Sequence, residues 1–89
     1  MKSVTTVRFR KAFSVLPSHV KDLTRKAFKR WKENSAHPSL QFKQIHKTQP
    51  VYSVRISLSW RALSVKQGNA MVWFWVGSHA EYDKLIASL

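Results

Sequence analysis

The chain has 89 residues, 44% of them hydrophobic, with only two glycines and three prolines. This length and composition indicate one small globular domain over residues 1–89 and argue against disorder. The absence of cysteine excludes disulfides, thiolate metal sites and a cysteine nucleophile. No apolar run approaches the ~20 residues of a membrane span, and the N-terminus has no apolar signal core. We therefore expect a cytoplasmic protein that makes no membrane contact.

The charge of the chain is strongly positive. Sixteen Lys and Arg against four Asp and Glu give a net charge of +12. The cations alternate with aromatic residues along the whole sequence, which predicts a basic face on a folded domain and not a basic tail. Such a face attracts polyanions, so nucleic acid, the ribosome or an acidic protein is the expected counterpart. The alternative is a basic surface that serves only solubility.

The first half of the chain predicts one strand and two helices. β-Branched residues favour a strand over residues 4–9, and apolar residues at helical spacing predict a short helix that ends before Pro17. A longer helix is predicted from its N-cap, Ser18, to Glu33. Residues 34–39 break the pattern and predict a loop. One face of the longer helix carries four cations and is expected to be a solvated or ribosome-docking surface: Lys21, Arg25, Lys29 and Lys32.

The second half changes to the two-residue period of strands. A strand is predicted over residues 40–46. Apolar and polar residues then alternate strictly from Tyr52 to Arg61. The parity of this alternation changes near Trp60, which predicts a bend at residues 58–59 and a strand on each side of it.

The C-terminal part of the chain predicts a buried strand and a last helix. Residues 67–69 form a turn, and the apolar run 70–76 predicts a strand covered on both faces. Gly77 ends that strand, and Ser78 with Glu81 matches the S-x-x-E capping box of a helix start. The order of elements is β-α-α-β-β-β-α. We therefore predict an α+β fold, a small antiparallel sheet with the N-terminal helices packed on it and a short C-terminal helix.

The chemistry open to this chain is limited by its composition. Four carboxylates are too few for an ordinary carboxylate or metal-dependent nuclease, and the four histidines have no metal-ligand spacing. We therefore expect neither a metal nor another cofactor. Cleavage of RNA without a metal remains open, because RNA supplies its own nucleophile, the 2′-hydroxyl. The protein must then position that group, move protons and stabilise charge on the phosphorus.

Four residues are candidates for that chemistry. Arg61, beside the change of parity, is either a bidentate phosphate ligand or an ordinary surface arginine. Arg55 has the same two interpretations. His79 begins the last helix, where backbone N–H groups favour anions, and is an acid or base unless it is merely solvated. Tyr82 belongs by pattern to the apolar stripe of that helix, although its hydroxyl can reach the edge of such a site.

Further residues are candidates for holding RNA. Trp60 is the tryptophan most suited to stacking on a base, since Trp73 and Trp75 lie in the apolar run and are expected in the core. Lys43, His46 and Lys47, near the end of a predicted strand, are candidate phosphate contacts.

Two segments resemble motifs of the RelE/ParE superfamily of bacterial toxins. Residues 60–63 (WRAL) are similar to the family's YRAL strand, and residues 75–82 (WVGSHAEY) are similar to its IG-[ST]-H-x-x-Y end. The order and spacing of these motifs agree with the family over nearly the whole chain.

The resemblance implies a RelE-like fold and a neutralising antitoxin. RelE-like members cut mRNA on the ribosome without a metal, whereas ParE-like members poison DNA gyrase. For the residues of this chain, the resemblance implies that Arg61 and Arg55 bind phosphate and that His79 is an acid or base. It also implies that Tyr82 stands near the terminal aromatic residue of the family.

The chain also departs from the family pattern. Ser53 and Arg55 stand where some members have two lysines, and no carboxylate stands where some relatives place a general base. The group that removes the 2′-hydroxyl proton is therefore left open, with Lys43 and His46 among the candidates. The pair Arg61 and His79 favours an endoribonuclease, with ribosome and mRNA as partners. Gyrase inhibition, and an RNA- or ribosome-binding domain without activity, remain the alternatives.

Overall fold

The structure, a computed structural model, describes residues 2–89. The structure has three helices and five strands, one strand more than the predicted order β-α-α-β-β-β-α, and one additional 3₁₀ turn. The elements are β1 (Lys2–Thr5), α1 (Val7–Ser14), α2 (Ser18–Glu33), the 3₁₀ turn (Pro38–Leu40), β2 (Lys43–Gln44), β3 (Val51–Ser57), β4 (Trp60–Gln67), β5 (Ala70–Ser78) and α3 (His79–Ala87). Within this part of the chain no helix is both long and apolar enough to cross a membrane.

The strands form one sheet in the order β1-β5-β4-β3-β2. Strands β2 to β5 are antiparallel neighbours, as predicted. The prediction of a wholly antiparallel sheet is wrong at one edge, because β1 pairs with β5 in parallel, with Lys2 opposite Ala70. The α+β class is confirmed, and the sheet is mixed.

The core lies between one face of this sheet and the helices α1 and α2. Trp73 is at its centre and fully buried, with its ring edge-on to Trp31 at 5.4 Å between centroids and tilted to Phe28 at 4.8 Å. Its indole N–H donates to Ser3 Oγ at 3.0 Å, which joins the first strand to the last. β5 is less covered than predicted, because Phe74, with Arg8 above its ring, is only half-buried.

Several helix and strand boundaries differ from their predicted positions because of local hydrogen bonds. The first strand ends at Thr5 and does not reach residue 9, because the Thr6 side chain accepts from the Phe9 N–H and starts α1. The prediction that Ser18 is the N-cap of α2 is wrong: Pro17 occupies that position, and no side chain caps the helix.

Two other boundaries differ from the prediction around the middle of the chain. The strand predicted over residues 40–46 shrinks to Lys43–Gln44, because Pro38–Leu40 forms a 3₁₀ turn and Gln41 adopts a left-handed conformation with φ of 44°. The predicted break at residues 58–59 is confirmed as the tight connection between β3 and β4.

Candidate active site

A pocket of about 300 Å³ opens on the sheet face that α1 and α2 leave uncovered. β3 and β4 supply alternate residues to this face, since the residues between them point into the core. Residues of β2 and of α3 also line the pocket. Its lining is predominantly polar: Gln41, Lys43, Ser53, Arg55, Arg61, His79, Tyr82, Asp83 and Ile86.

Two arginines face each other across the β3–β4 hairpin. Arg55 and Arg61 are register partners, so both side chains leave the sheet on the pocket face. Like charges directly opposite on antiparallel strands repel one another. The pKa of Arg61 is lowered, chiefly because partial burial desolvates its charge and also because Arg55 stands beside it. A bound anion relieves both effects, so the pair is suited to hold a phosphate.

Arg61 is held in place by the hairpin turn. Its Nη1 donates to the carbonyl oxygens of Ser57, of Trp60 at 3.0 Å and of Leu58 at 3.3 Å. One nitrogen of the guanidinium thus fixes the group against the backbone. The others keep their donor capacity toward the pocket.

His79 enters the pocket from the first turn of α3. A capping box fixes the start of that helix: Ser78 Oγ accepts from the Glu81 N–H at 3.2 Å. The His79 N–H also donates to the Ser59 carbonyl at 2.7 Å, which ties the helix start to the β3–β4 turn. The position of the imidazole relative to Arg61 is therefore set by backbone hydrogen bonds.

The imidazole of His79 has one acidic and one aromatic neighbour, Asp83 and Tyr82. Its Nδ1 lies 3.0 Å from Asp83 Oδ2, one helical turn further along. Its ring meets that of Tyr82 edge-on at 5.7 Å, and Tyr82 is buried. A carboxylate at Nδ1 favours the tautomer in which Nδ1 carries the proton and Nε2 is a proton acceptor. This arrangement equips His79 to remove a proton from a bound substrate.

Asp83 is a residue of the pocket for which the sequence carried no prediction. The structure places it against the imidazole of His79. The spacing of four residues between His79 and Asp83 carries the signal, because residues four apart lie on the same face of a helix.

The other candidates are divided between the pocket and other places. Lys43 lies in the pocket, on β2 opposite Ser53. Trp60 does not, since it is half-buried on the opposite face and packs against the core. His46 Nδ1 accepts from the Gln49 N–H at 2.9 Å and closes the turn after β2, and Lys47 is exposed in that turn.

The pocket combines side chains of the types that can bind phosphate and transfer a proton. Arg55, Arg61 and Lys43 provide positive charge, and Asp83 orients the imidazole of His79. In the part of the chain that the structure describes, no three histidine or carboxylate side chains are grouped as a metal site would require.

A known family model matches most of the chain. The family model described as the ParE-like toxin domain matches residues 18–84, which include Arg55, Arg61 and His79. No curated protein sequence matches the chain significantly.

Solved toxin structures share the fold over almost their whole length. A chain of the RelB–RelE antitoxin–toxin complex from Methanococcus jannaschii has a TM-score of 0.73 and 13% identity, with 92% of this chain and 96% of that chain covered. YafQ from E. coli has a TM-score of 0.73 and 8% identity, with 91% and 96% covered. The YoeB/ParE toxin from Agrobacterium tumefaciens has a TM-score of 0.69 and 13% identity, with 89% and 99% covered. These structures share the fold, and because the family model matches residues 18–84, the chain belongs to the ParE-like toxin domain family.

Proposed function

We propose that this protein is the toxin of a toxin–antitoxin pair and acts in the cytoplasm as a metal-independent, ribosome-dependent mRNA endonuclease. The observation that carries the proposal is the pocket in which the Arg55–Arg61 pair faces the His79–Asp83 pair. A phosphate ligand and a proton acceptor in one pocket are two of the groups that cleavage through the 2′-hydroxyl requires.

The proposed reaction is an attack of the ribose 2′-oxygen on the adjacent phosphorus. His79 Nε2 removes the 2′-hydroxyl proton, the bond from O2′ to phosphorus forms, and the bond to O5′ breaks. The products are a 2′,3′-cyclic phosphate and a free 5′-hydroxyl. Arg55 and Arg61 stabilise the negative charge that develops on the phosphate oxygens. The ammonium of Lys43 and the hydroxyl of Tyr82, both in the lining, are the donors available to the departing O5′.

The first test is growth arrest and mRNA cleavage by pocket variants. His79→Ala and Arg55→Gln are expected to abolish cleavage of mRNA in a purified translation system, and Arg61→Ala is expected to do so as well. Lys66→Gln is the matched control, because Lys66 is an exposed cation at the far end of β4. Parent-like growth arrest by both His79→Ala and Arg61→Ala would refute the proposal.

An antitoxin partner is part of the same proposal. The RelB–RelE structure is that of an antitoxin–toxin complex. A net charge of +12 calls for an acidic or amphipathic partner segment that covers the pocket and keeps the toxin from the cell's own ribosomes. Co-expression with a small acidic neighbouring gene product is expected to restore growth and to yield a stable complex.

Gyrase inhibition is the second candidate function, because the matching family model is that of the ParE-like toxin domain. A gyrase inhibitor needs no acid or base, so His79→Ala would remain toxic. Supercoiling would fail while mRNA stayed intact. Following translation and plasmid supercoiling together after induction separates the two functions, and an absence of toxicity would favour an RNA-binding domain without activity.

A further inference from the structure

A second basic cleft adjoins the pocket at Arg55. It has a volume of about 310 Å³ and lies between α2, the 3₁₀ turn and the outer edge of β3. Arg55 lines both cavities. β2 pairs only with Tyr52 and Ser53, so the part of β3 that carries Arg55 has no strand on its outer side. Arg55 therefore lies between the two cavities, at an open edge of the sheet.

The polar side chains of this cleft are of the types that commonly bind phosphate in proteins. Lys26 and Arg30, one turn apart on α2, face Arg55 across it, and Ser39 and Ser57 add hydroxyls. Among residues 2–89, none of those that line the cleft is acidic. Lys26, Arg30 and Arg55 therefore have no carboxylate in the cleft to neutralise them. An apolar floor from α2 and β3 suits a ribose or base edge.

Arg30 is held in position at the rim of the cleft. Its Nη1 donates to Ser39 Oγ at 3.0 Å, and Ser39 Oγ lies 2.9 Å from His37 Nδ1. The hydroxyl can accept from Arg30 and donate to His37 at the same time. A guanidinium fixed at one nitrogen loses less freedom when it binds a ligand with the others.

We propose that this cleft binds the phosphodiester backbone of single-stranded RNA next to the reacting phosphate, so that the strand runs from the Arg61 and His79 pocket past Arg55 to Lys26 and Arg30. This subsite rests on the proposed endonuclease function. A strand carries one negative charge per nucleotide, and a positively charged groove that follows it is a general way to hold single strands. The cations of α2 that contact the strand are Lys26 and Arg30, which line the cleft, and not the neighbouring Lys29 and Lys32.

The test is the gain in affinity when an RNA ligand is lengthened. Fluorescein-labelled oligonucleotides of three and of six nucleotides, 2′-O-methylated to prevent cleavage, are bound to the purified protein and followed by anisotropy. The parent protein is expected to bind the longer one about tenfold more tightly at low salt. Lys26→Gln/Arg30→Gln is expected to lose most of this gain and to lower the salt slope by about 0.7 for each lost contact.

The matched control is Lys29→Gln/Lys32→Gln, which removes the same charge from the same helix outside the cleft. It is expected to keep the gain with length. Equal losses in both variants would show an effect of net charge alone and would overturn the subsite. Circular dichroism and thermal melts establish that both variants are folded.

A second measurement distinguishes a single-stranded RNA substrate from other occupants of the cleft. If Lys26→Gln/Arg30→Gln weakened binding to vacant ribosomes but left the gain with length intact, the cleft would hold ribosomal RNA, and the proposal would be wrong. An acidic partner protein in the cleft would also leave the gain intact. Cleavage of mRNA by the parent protein is measured separately, so that failure of the endonuclease function is distinguishable from failure of the subsite.

Discussion

Removal of the Asp83 carboxylate should impair the reaction while leaving the fold intact. Asp83→Ala takes away the acceptor that lies 3.0 Å from His79 Nδ1. The two side chains are 43% (His79) and 60% (Asp83) exposed, so the pair contributes less than about 1 kcal/mol to stability. Alanine also favours the helix by about 0.5 kcal/mol relative to aspartate. We therefore expect the free energy of unfolding to change by less than about 0.5 kcal/mol.

The effect on the reaction should be larger than the effect on stability. Without the carboxylate, the imidazole of His79 is free to rotate and to take the other tautomer. Loss of such an orienting partner lowers activity by about 10- to 100-fold, or about 1.4–2.7 kcal/mol in the barrier. The loss cannot exceed that of His79→Ala, since Asp83 acts through the histidine.

The assay is single-turnover mRNA cleavage on programmed ribosomes, together with urea unfolding of each variant. Asp22→Ala is the control, because Asp22 is an exposed acid paired with Arg25 on α2, far along the chain from the pocket. The double variant His79→Ala/Asp83→Ala should be no slower than His79→Ala alone. Cleavage by Asp83→Ala within twofold of the parent, or additive losses in the double variant, would refute the orienting role.

Three further changes test other parts of the structure. Arg55→Gln should leave stability equal or raise it by up to about 1 kcal/mol in urea unfolding, because it removes a like charge opposite Arg61. Folding lowers the pKa of Arg61, so the charged form of this residue reduces the free energy of unfolding at every pH below that lowered pKa. The stability gained by Arg55→Gln should therefore not vary between pH 6 and 8. Ser78→Ala should cost about 1 kcal/mol by opening the capping box, and should lower cleavage because His79 follows directly. Trp73→Ala should cost about 3–5 kcal/mol and leave little folded protein in a thermal melt.

The sequence predicted those elements whose signals are local. The alternation from Tyr52 onward gave β3 and β4, and the S-x-x-E pattern at Ser78 gave the start of α3, because strand period and capping depend on neighbouring residues. The cap of α2 was misassigned to Ser18, since the backbone there enters the helix one residue earlier, at Pro17.

The parts that could not be predicted depend on residues far apart in the chain. The parallel pairing of β1 with β5 has no local signal, since its partners stand at opposite ends of the sequence. The candidate site was predicted as a set of residue types, but the face-to-face position of Arg55 and Arg61 follows from the register of one hairpin. Trp60 was assigned to the site because it lies outside the apolar run that holds Trp73 and Trp75. It adjoins Arg61, however, and neighbours in a strand point to opposite faces.

The parallel edge strand also makes the strand pairings of the sheet unequal in their entropic cost. Strands β3, β4 and β5 and the helix α3 are consecutive, so the hairpins that carry the pocket can close through short loops. The partner of β1 is Ala70–Ser78, and Thr6, the cap of α1, donates to the Trp73 carbonyl in the same strand. Pairing β1 with β5 therefore closes a much longer loop than any hairpin of the sheet, and it carries the highest entropic cost of closure among the strand pairings.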